Sequence, residues 1–380
     1  MSRHPPFSLA RLWAIIVKEF MQMRRDRLTF AMMLGIPLLQ LTLFGYAINS
    51  DPRHLPAAVL LADDGPQGRT LLHALQNSTY YDFKRQVRTE TESRDALARG
   101  EVQFVVSIPV NFSRDLLRGD RPTVLIEADA TDPSATGIAL GSLGSLLGGA
   151  LANDLKGPLA FLNATPGPLN IRVHALYNAE TVTQYNIVPG LMGVILTMTM
   201  IMITGLAITR ERERGTMENL LAMPTRPSEV LIGKITPYIL IGYIQVAVIL
   251  IASRVLFHVP MHGSIPLLLV VALVFIAANL AMGITFSTIA KNQLQAMQMT
   301  FFVFLPSILL SGFMFPFRGM PHWAQTIGEV FPLTHFLRIV RGILLKGNGL
   351  ADVAGEIWAI AIFAVIMMTI GIKRYRQTLD

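Results

Sequence analysis

The chain has 380 residues, of which 52% are hydrophobic and only 15% charged, and its mean hydropathy is +0.48. That is more apolar surface than one soluble core of ordinary composition buries. The formal charge of +7 is not the footprint of a nucleic-acid binder, because the basic residues flank apolar runs and build no solvated patch. Cysteine is absent, which excludes disulfides, thiolate metal sites and cysteine nucleophiles.

In chain order, Leu9, Leu12, Trp13, Ile16, Val17 and Phe20 fall on one side of a helix, with Arg11, Lys18, Glu19 and Gln22 elsewhere. This spacing predicts a cytoplasmic interfacial helix over residues 1–27, with anchoring as its plainest role. Arg24, Arg25 and Arg27 then precede an apolar run too long for a signal-peptide core, so an uncleaved anchor is expected.

Apolar stretches run from Leu28 to Ile48, Ile187 to Ile208, Val230 to Ile251, Ile265 to Ile289, Met297 to Phe315 and Val353 to Ile372. Each is near the roughly 20 residues a helix needs to cross hydrocarbon. The prediction is an α-helical polytopic membrane protein with about six transmembrane helices. Pro37, Pro189, Pro237 and Pro306 interrupt these runs, and kinks are expected there because neighbouring helices re-satisfy the freed carbonyls.

Orientation follows from Lys and Arg in the short flanks. Arg11, Lys18, Arg24, Arg25 and Arg27 precede the first span, while Arg210, Arg212, Arg214 and Arg226 follow the second. Lys291 after the fourth span and Lys373, Arg374 and Arg376 after the sixth agree, which puts both termini in the cytoplasm with an even number of crossings. Arg254, Arg318, Arg338, Arg341 and Lys346 are exceptions, fewer and more dispersed.

The predicted organisation is a first transmembrane helix over 28–48, an extracytoplasmic domain over 49–185, a membrane domain with five transmembrane helices over 186–373, and a tail over 374–380. Within the extracytoplasmic domain, Ala57 to Ala62, Val102 to Ile108 and Arg121 to Ala128 read as strands, and Thr91 to Arg99 as a charged helix. An inserted α/β (α+β) layer fits that alternation. Ala135 to Leu155 carries no charge before Asp154. Gly141, Gly144, Gly148, Gly149, Ser142 and Ser145 nevertheless dilute its hydrophobicity, so it reads as a long amphipathic helix of the domain and not as a further span.

The loop over 209–229 carries the sharpest signal. Arg210, Glu211, Arg212, Glu213 and Arg214 lead through Gly215 and Thr216 into a short amphipathic helix with Met217, Leu220 and Leu221 on one side and Glu218 between them; Pro224 and Pro227 stop it. A solvated loop obeying the inside-positive bias needs neither the Gly-Thr start nor the double proline stop.

These residues resemble the cytoplasmic coupling loop of type-2 ABC exporter permeases, in which Glu-Arg-Glu-x-Gly-Thr-x-Glu-x-Leu-Leu precedes Pro and a Gly-Lys pair. Gly233 and Lys234 supply that pair. A second resemblance is Leu310-Ser311-Gly312-Phe313-Met314-Phe315-Pro316, followed by Met320-Pro321, Trp323, Pro332-Leu333 and Arg341-Gly342. In that family this run dips back into the outer leaflet as short broken helices, here expected over 316–346. The likeness covers nearly the whole chain, including the large extracytoplasmic domain of one bacterial branch.

The resemblance implies a permease that exports an amphipathic or hydrophobic substrate, with ATP and Mg bound by a separate cytoplasmic ABC ATPase subunit. It also implies a second permease chain, identical or paralogous, and it leaves room for a periplasmic adaptor. Glu211, Glu213, Gly215, Thr216, Met217, Glu218, Leu220, Leu221 and Pro224 would couple to the ATPase, together with Trp13, Lys18 and Glu19 of the interfacial helix.

What the sequence lacks agrees. A P-loop needs Gly-x-x-x-x-Gly-Lys followed by Ser or Thr, whereas Gly233-Lys234 is followed by Ile235. The span centres carry no charge that an ion-coupled transporter would use. Gln40, Asn279 and hydroxyl residues such as Thr197 and Thr199 are the plausible polar contacts, best read as helix-helix contacts. His258 and His262 flank a helix-breaking Pro260, so no metal or other cofactor site is expected in this chain. A membrane-anchored extracytoplasmic sensor or assembly scaffold is the rival reading, and six spans are excessive for it.

Overall fold

The computed structural model describes residues 53–152, 154–163, 167–213 and 227–377. The predicted interfacial helix with Trp13, Lys18 and Glu19, the first span over 28–48, and the loop residues Gly215, Thr216, Met217, Glu218, Leu220, Leu221 and Pro224 lie outside the described residues.

The first part is a layered α/β unit. Its elements are β1 (Leu55–Leu61), α1 (Pro66–Asn77), β2 (Tyr81–Gln86), α2 (Glu90–Ala98), β3 (Phe104–Ile108), α3 (Phe112–Arg118), β4 (Thr123–Asp129), α4 (Pro133–Ala150), a 3-10 turn (Gly157–Asn163) and β5 (Asn170–Leu176). The sheet order is β2-β1-β3-β4-β5. β1 pairs in parallel with β2 and β3, β4 turns antiparallel to β3, and β5 runs parallel to β4.

Strand alternation sends successive side chains to opposite faces, and both faces here are apolar. Ala57, Phe104, Val106 and Ile108 join Leu71 and Leu75 of α1, Leu116 of α3 and Leu143 and Leu147 of α4 in one core. Ala58 and Val105 join Ala96 and Leu97 of α2 in the other. Helix α4 therefore belongs to this unit, as its dilute hydrophobicity predicts: Ala135, Ala139, Leu143 and Leu147 form its buried stripe, and the Tyr81 hydroxyl donates to the Ala139 carbonyl at 2.7 Å.

The crevice between the carboxyl ends of β1 and β3 is closed from within. The Asp63 carboxylate accepts the backbone N–H of Gly65 at 3.0 Å and of Ser113 at 2.5 Å, bridging the approaches to α1 and α3. A Cβ at Gly65 would lie 2.0 Å from the Ser113 Oγ, so nothing larger than glycine fits. Burial works to raise the Asp63 pKa, but the N–H groups of Ser113 and Gly65 outweigh it and hold the carboxyl below its ordinary value.

The second part is helical: α5 (Thr183–Glu213), α6 (Pro227–Val255), α7 (Ile265–Ile289), α8 (Gln293–Leu310), a 3-10 turn (Phe317–Gly319), α9 (His322–Gly328), α10 (Pro332–Arg341), a π turn (Gly342–Lys346) and α11 (Leu350–Gln377). Five of these are long and apolar enough to cross a membrane, over Thr183–Ala207, Pro237–Val255, Ile265–Ile289, Gln293–Leu310 and Leu350–Arg374. Prolines 189, 237 and 306 sit inside helices that continue through them.

Helix α7 is the hub, and the Phe275 and Phe336 rings stack at 4.0 Å between it and α10. Glycine sets its distance from α5, because a Cβ at Gly283 would approach the Ile201 carbonyl oxygen to 2.8 Å. The fifth predicted span ends early. It was expected to run to Phe315, but α8 stops at Leu310, where Ser311 caps it and Gly312 takes φ +82°, a left-handed turn that terminates a helix.

Candidate functional site

Two places carry the chemistry, one at each end of the helical bundle. At one end, the long α5 reaches Glu213. Its carboxylate accepts the Gln293 backbone N–H at 2.8 Å and the Gln293 side-chain amide at 2.5 Å. These bonds hold the Glu213 carboxyl below its usual value and place a negative charge at the positive end of the α8 dipole. The start of α8 is itself capped, with Asn292 accepting from the Gln295 N–H and Gln295 reaching back to the Lys291 N–H, each at 2.8 Å. Of the predicted coupling residues, Glu213 is thus fastened to the start of α8. Glu211 is helical on α5.

At the opposite end, the predicted broken-helix segment is a chain of short elements punctuated by its prolines. Pro316 precedes the Phe317–Gly319 turn, Pro321 caps α9 and Pro332 opens α10, each placed where a missing N–H costs nothing. Ser311 and Gly312 end α8, and Arg341 donates to the Gly312 carbonyl at 3.1 Å. Gly342 begins the π turn. The motif residues Gly312 and Arg341, 29 positions apart, are therefore in direct contact.

This segment grips the α/β unit through charge. Lys346 bonds Asp129 of β4 at 2.5 Å and the Leu97 carbonyl at 3.0 Å, with both ionic side chains 8% exposed. Thr131 holds the same carboxylate by its N–H at 3.1 Å and its hydroxyl at 2.7 Å. Lys346 also lies 5.2 Å over the Tyr177 ring; burial, then Asp129, push that phenol up to about 12. Asn348 donates to the Ala98 carbonyl, Arg318 to the Gly100 carbonyl, and Arg99 pairs with Asp352 at 3.6 Å.

Arg341 donates to the Asn186 amide oxygen at 3.1 Å, and Asn186 in turn donates to the Thr131 carbonyl at 2.7 Å. Burial raises Asp132 above its ordinary value even though Arg341 pulls it down. A cavity of about 350 Å³ lies in this joint, with Asp129, Asp132, Arg318, Arg338, Arg341 and Glu356 among its walls. Charges facing a cavity between two bodies cost less than the same charges in a dry core, because water can complete their shells.

Comparison with known proteins decides the family. The profile described as ABC-2 family transporter protein matches residues 27–373. The chain belongs to the ABC-2 transporter family. This ABC-2 permease is 30% identical over 355 residues to the probable multidrug ABC transporter permease YbhS of Escherichia coli, spanning 91% of each chain. It is 26% identical to the probable multidrug ABC transporter permease YbhR of the same organism, over 96% of this chain and 97% of that one. The inner membrane transport permease YhhJ is 31% identical over 77% of each chain.

Sequence reasoning missed much of the joint of the ABC-2 permease: Asp129, Asn186, Glu329, His335 and Glu356. One signal was present. Glu356 stands inside the predicted last span, and a carboxylate within an apolar run marks a partnered site. The dispersed Arg338, Arg341 and Lys346, which ran against the inside-positive bias, are the partners of these residues, and Arg318 bonds the Gly100 carbonyl beside them.

Proposed function

We propose that this ABC-2 permease is the transmembrane subunit of an ATP-driven exporter in a bacterial inner membrane, with both termini cytoplasmic and the α/β unit extracytoplasmic. ATP and Mg are bound by a separate cytoplasmic ATPase subunit, and two permease chains, identical or paralogous, enclose the pathway. The cargo is amphipathic or hydrophobic, in keeping with the multidrug permeases among the relatives. A periplasmic adaptor is a natural further partner for the α/β unit.

The observation that carries this reading is the single helix α5, 31 residues from Thr183 to Glu213, which joins the polar joint to the loop that resembles an ATPase dock. At its loop end Glu213 is tied to α8, so a push on residues 214–226 moves α5 and α8 together. At its other end Asn186 meets Arg341, which delivers that motion to the seat of the α/β unit. Rigid helices that pivot between two packings are the ordinary means of such transmission.

The test is co-purification and reconstitution with the candidate ATPase. The permease should stimulate ATP hydrolysis in liposomes, and Glu218→Lys should abolish association in a pull-down. Unchanged association would remove the loop as the dock, and ATP hydrolysis by the permease alone would overturn the reading.

A further inference from the structure

His335 lies in α10 and is 8% exposed. Each of its ring nitrogens faces an acceptor. Nε2 is 2.9 Å from the Glu329 backbone oxygen and 3.7 Å from the Glu329 carboxylate, while Nδ1 contacts the Glu356 carboxylate. A neutral imidazole carries one N–H and would set a lone pair against one of these oxygens; only the imidazolium satisfies both. Opposite an ionised Glu356, the geometry therefore calls for a charged histidine.

Charged neighbours come from several elements packed on the cluster. From the end of α9 comes Glu329, from α10 itself Arg338, and from α11 Glu356. Arg338 bonds Glu329 at 2.6 Å and Glu356 at 3.2 Å, and its guanidinium stacks 4.6 Å from the Phe317 ring. Asp352, one turn earlier on α11, is engaged by Arg99 and by the Gly349 N–H. Helices α7 and α8, and α5 between Thr183 and Ala207, also lie in the bundle around α10 and contain no charged residue. Two carboxylates thus share Arg338 and the histidine, with Arg318 of the Phe317–Gly319 turn close enough to interact with both carboxylates and with Arg338; loss of the histidine's proton removes one of the two N–H bonds and sets a ring lone pair against an oxygen in a half-dry site.

Beyond the cluster, α10 runs through Arg341 into the π turn and Lys346, which with Asn348 holds the α/β unit. We infer that protonated His335 is a clamp that ties α9, α10 and α11 into one block and so seats the α/β unit, and that its deprotonation releases the seat. The sign is fixed by the partners. Burial works to lower the His335 pKa, but its bonds to Glu356 and Glu329 outweigh that and raise it above the ordinary imidazole value. A raised folded-state pKa means the clamp is complete below about pH 6.5 and is lost as pH climbs through the elevated value.

The absence of native cysteine makes the test direct. Cysteines placed at the exposed Arg94 of α2 and Thr326 of α9, outside the cluster, take spin labels in the full chain in lipid nanodiscs, and the label-to-label distance distribution is read at about pH 6 and about pH 9, either side of the histidine range. The unaltered cluster should give one narrow distance at the lower pH and a broad distribution as the larger component at the higher. His335→Gln, which carries no charge, should be broad at both. Glu356→Gln lets an amide pair with neutral His335 and should be narrow at both. An identical distribution at the two pH values in the unaltered cluster would overturn the clamp, as would a pH response that survives in Glu356→Gln or a narrow distance in His335→Gln at both pH values.

Discussion

Replacing Lys346 by Met should loosen the seat of the α/β unit more than any other single change at the joint. The methionine fills a similar volume, so packing changes little. What is lost is the 2.5 Å pair with Asp129, whose carboxylate is 8% exposed and among the described residues keeps the Thr131 hydroxyl and N–H as hydrogen-bond partners, with Arg318 and Arg341 acting on it only through space. Removing one member of a buried pair leaves an uncompensated charge, which costs about 3–5 kcal/mol. Because every 1.4 kcal/mol is tenfold, the open population of the joint should rise by roughly two to three and a half orders of magnitude. Hydrogen exchange in detergent reads this locally, at the amides of the Gly342–Lys346 turn and at Asp129, whose N–H is bound to the Gln103 carbonyl at 2.9 Å. Asp129→Asn combined with Lys346→Met should recover much of the loss, since no charge is then stranded. Exchange in Lys346→Met within about twofold of the parent chain, well under the cost of a stranded charge, would refute the argument.

Gly283→Val should destabilise the helical bundle by about 1–3 kcal/mol, the usual cost of overpacking, because its Cβ would press on the Ile201 carbonyl and the Thr204 Cβ; thermal unfolding in detergent checks it. Tyr81→Phe should cost about 0.5–1.5 kcal/mol, the worth of one hydrogen bond, and be seen as a lower melting midpoint of the α/β unit. Asp63→Asn should cost about 1.5–3 kcal/mol, the worth of a hydrogen bond to a charged group, because the two carboxylate oxygens accept from Gly65 and Ser113 separately and an amide keeps only one oxygen. Since the Asp63 pKa is depressed, that contribution is present above the ordinary carboxylate value and fades as pH falls through the folded one, so parent and variant should converge in acid. Glu213→Ala should leave the melting midpoint nearly unchanged while reducing permease-stimulated ATP hydrolysis, because the bonds it removes fix the α5 end to α8 and bury nothing.

Legibility in the sequence followed burial. The runs at Ala57, Val102 and Arg121 marked β1, β3 and β4 to within two residues at most of their ends, because these strands are covered on both faces and read as apolar. The edge strands β2, Tyr-Asp-Phe-Lys-Arg-Gln, and β5, Asn-Ile-Arg-Val-His-Ala-Leu, were missed. An edge is half solvated, and its charges are the usual protection against mispairing, so no apolar run announces it. Helix α7 was read to the residue, since Ser264 caps its start and Ala290 turns extended just ahead of the polar Lys291 and Asn292. The joint was invisible for a different reason. Asp129 and Lys346 are 217 positions apart, and pairing at that range leaves no local pattern. The charges themselves were noticed, as departures from a topology rule, but their partners required the fold.

The plugged crevice at Asp63 also bears on what kind of object the α/β unit is. In open sheets of this sort, ligands settle where neighbouring crossovers diverge, outside the carboxyl ends of the strands, and here the polypeptide's own acid occupies that berth with a serine pressed against it. With it filled, anything that sought that berth would first have to displace the acid from the N–H groups of Gly65 and Ser113, and so would unfasten the starts of α1 and α3.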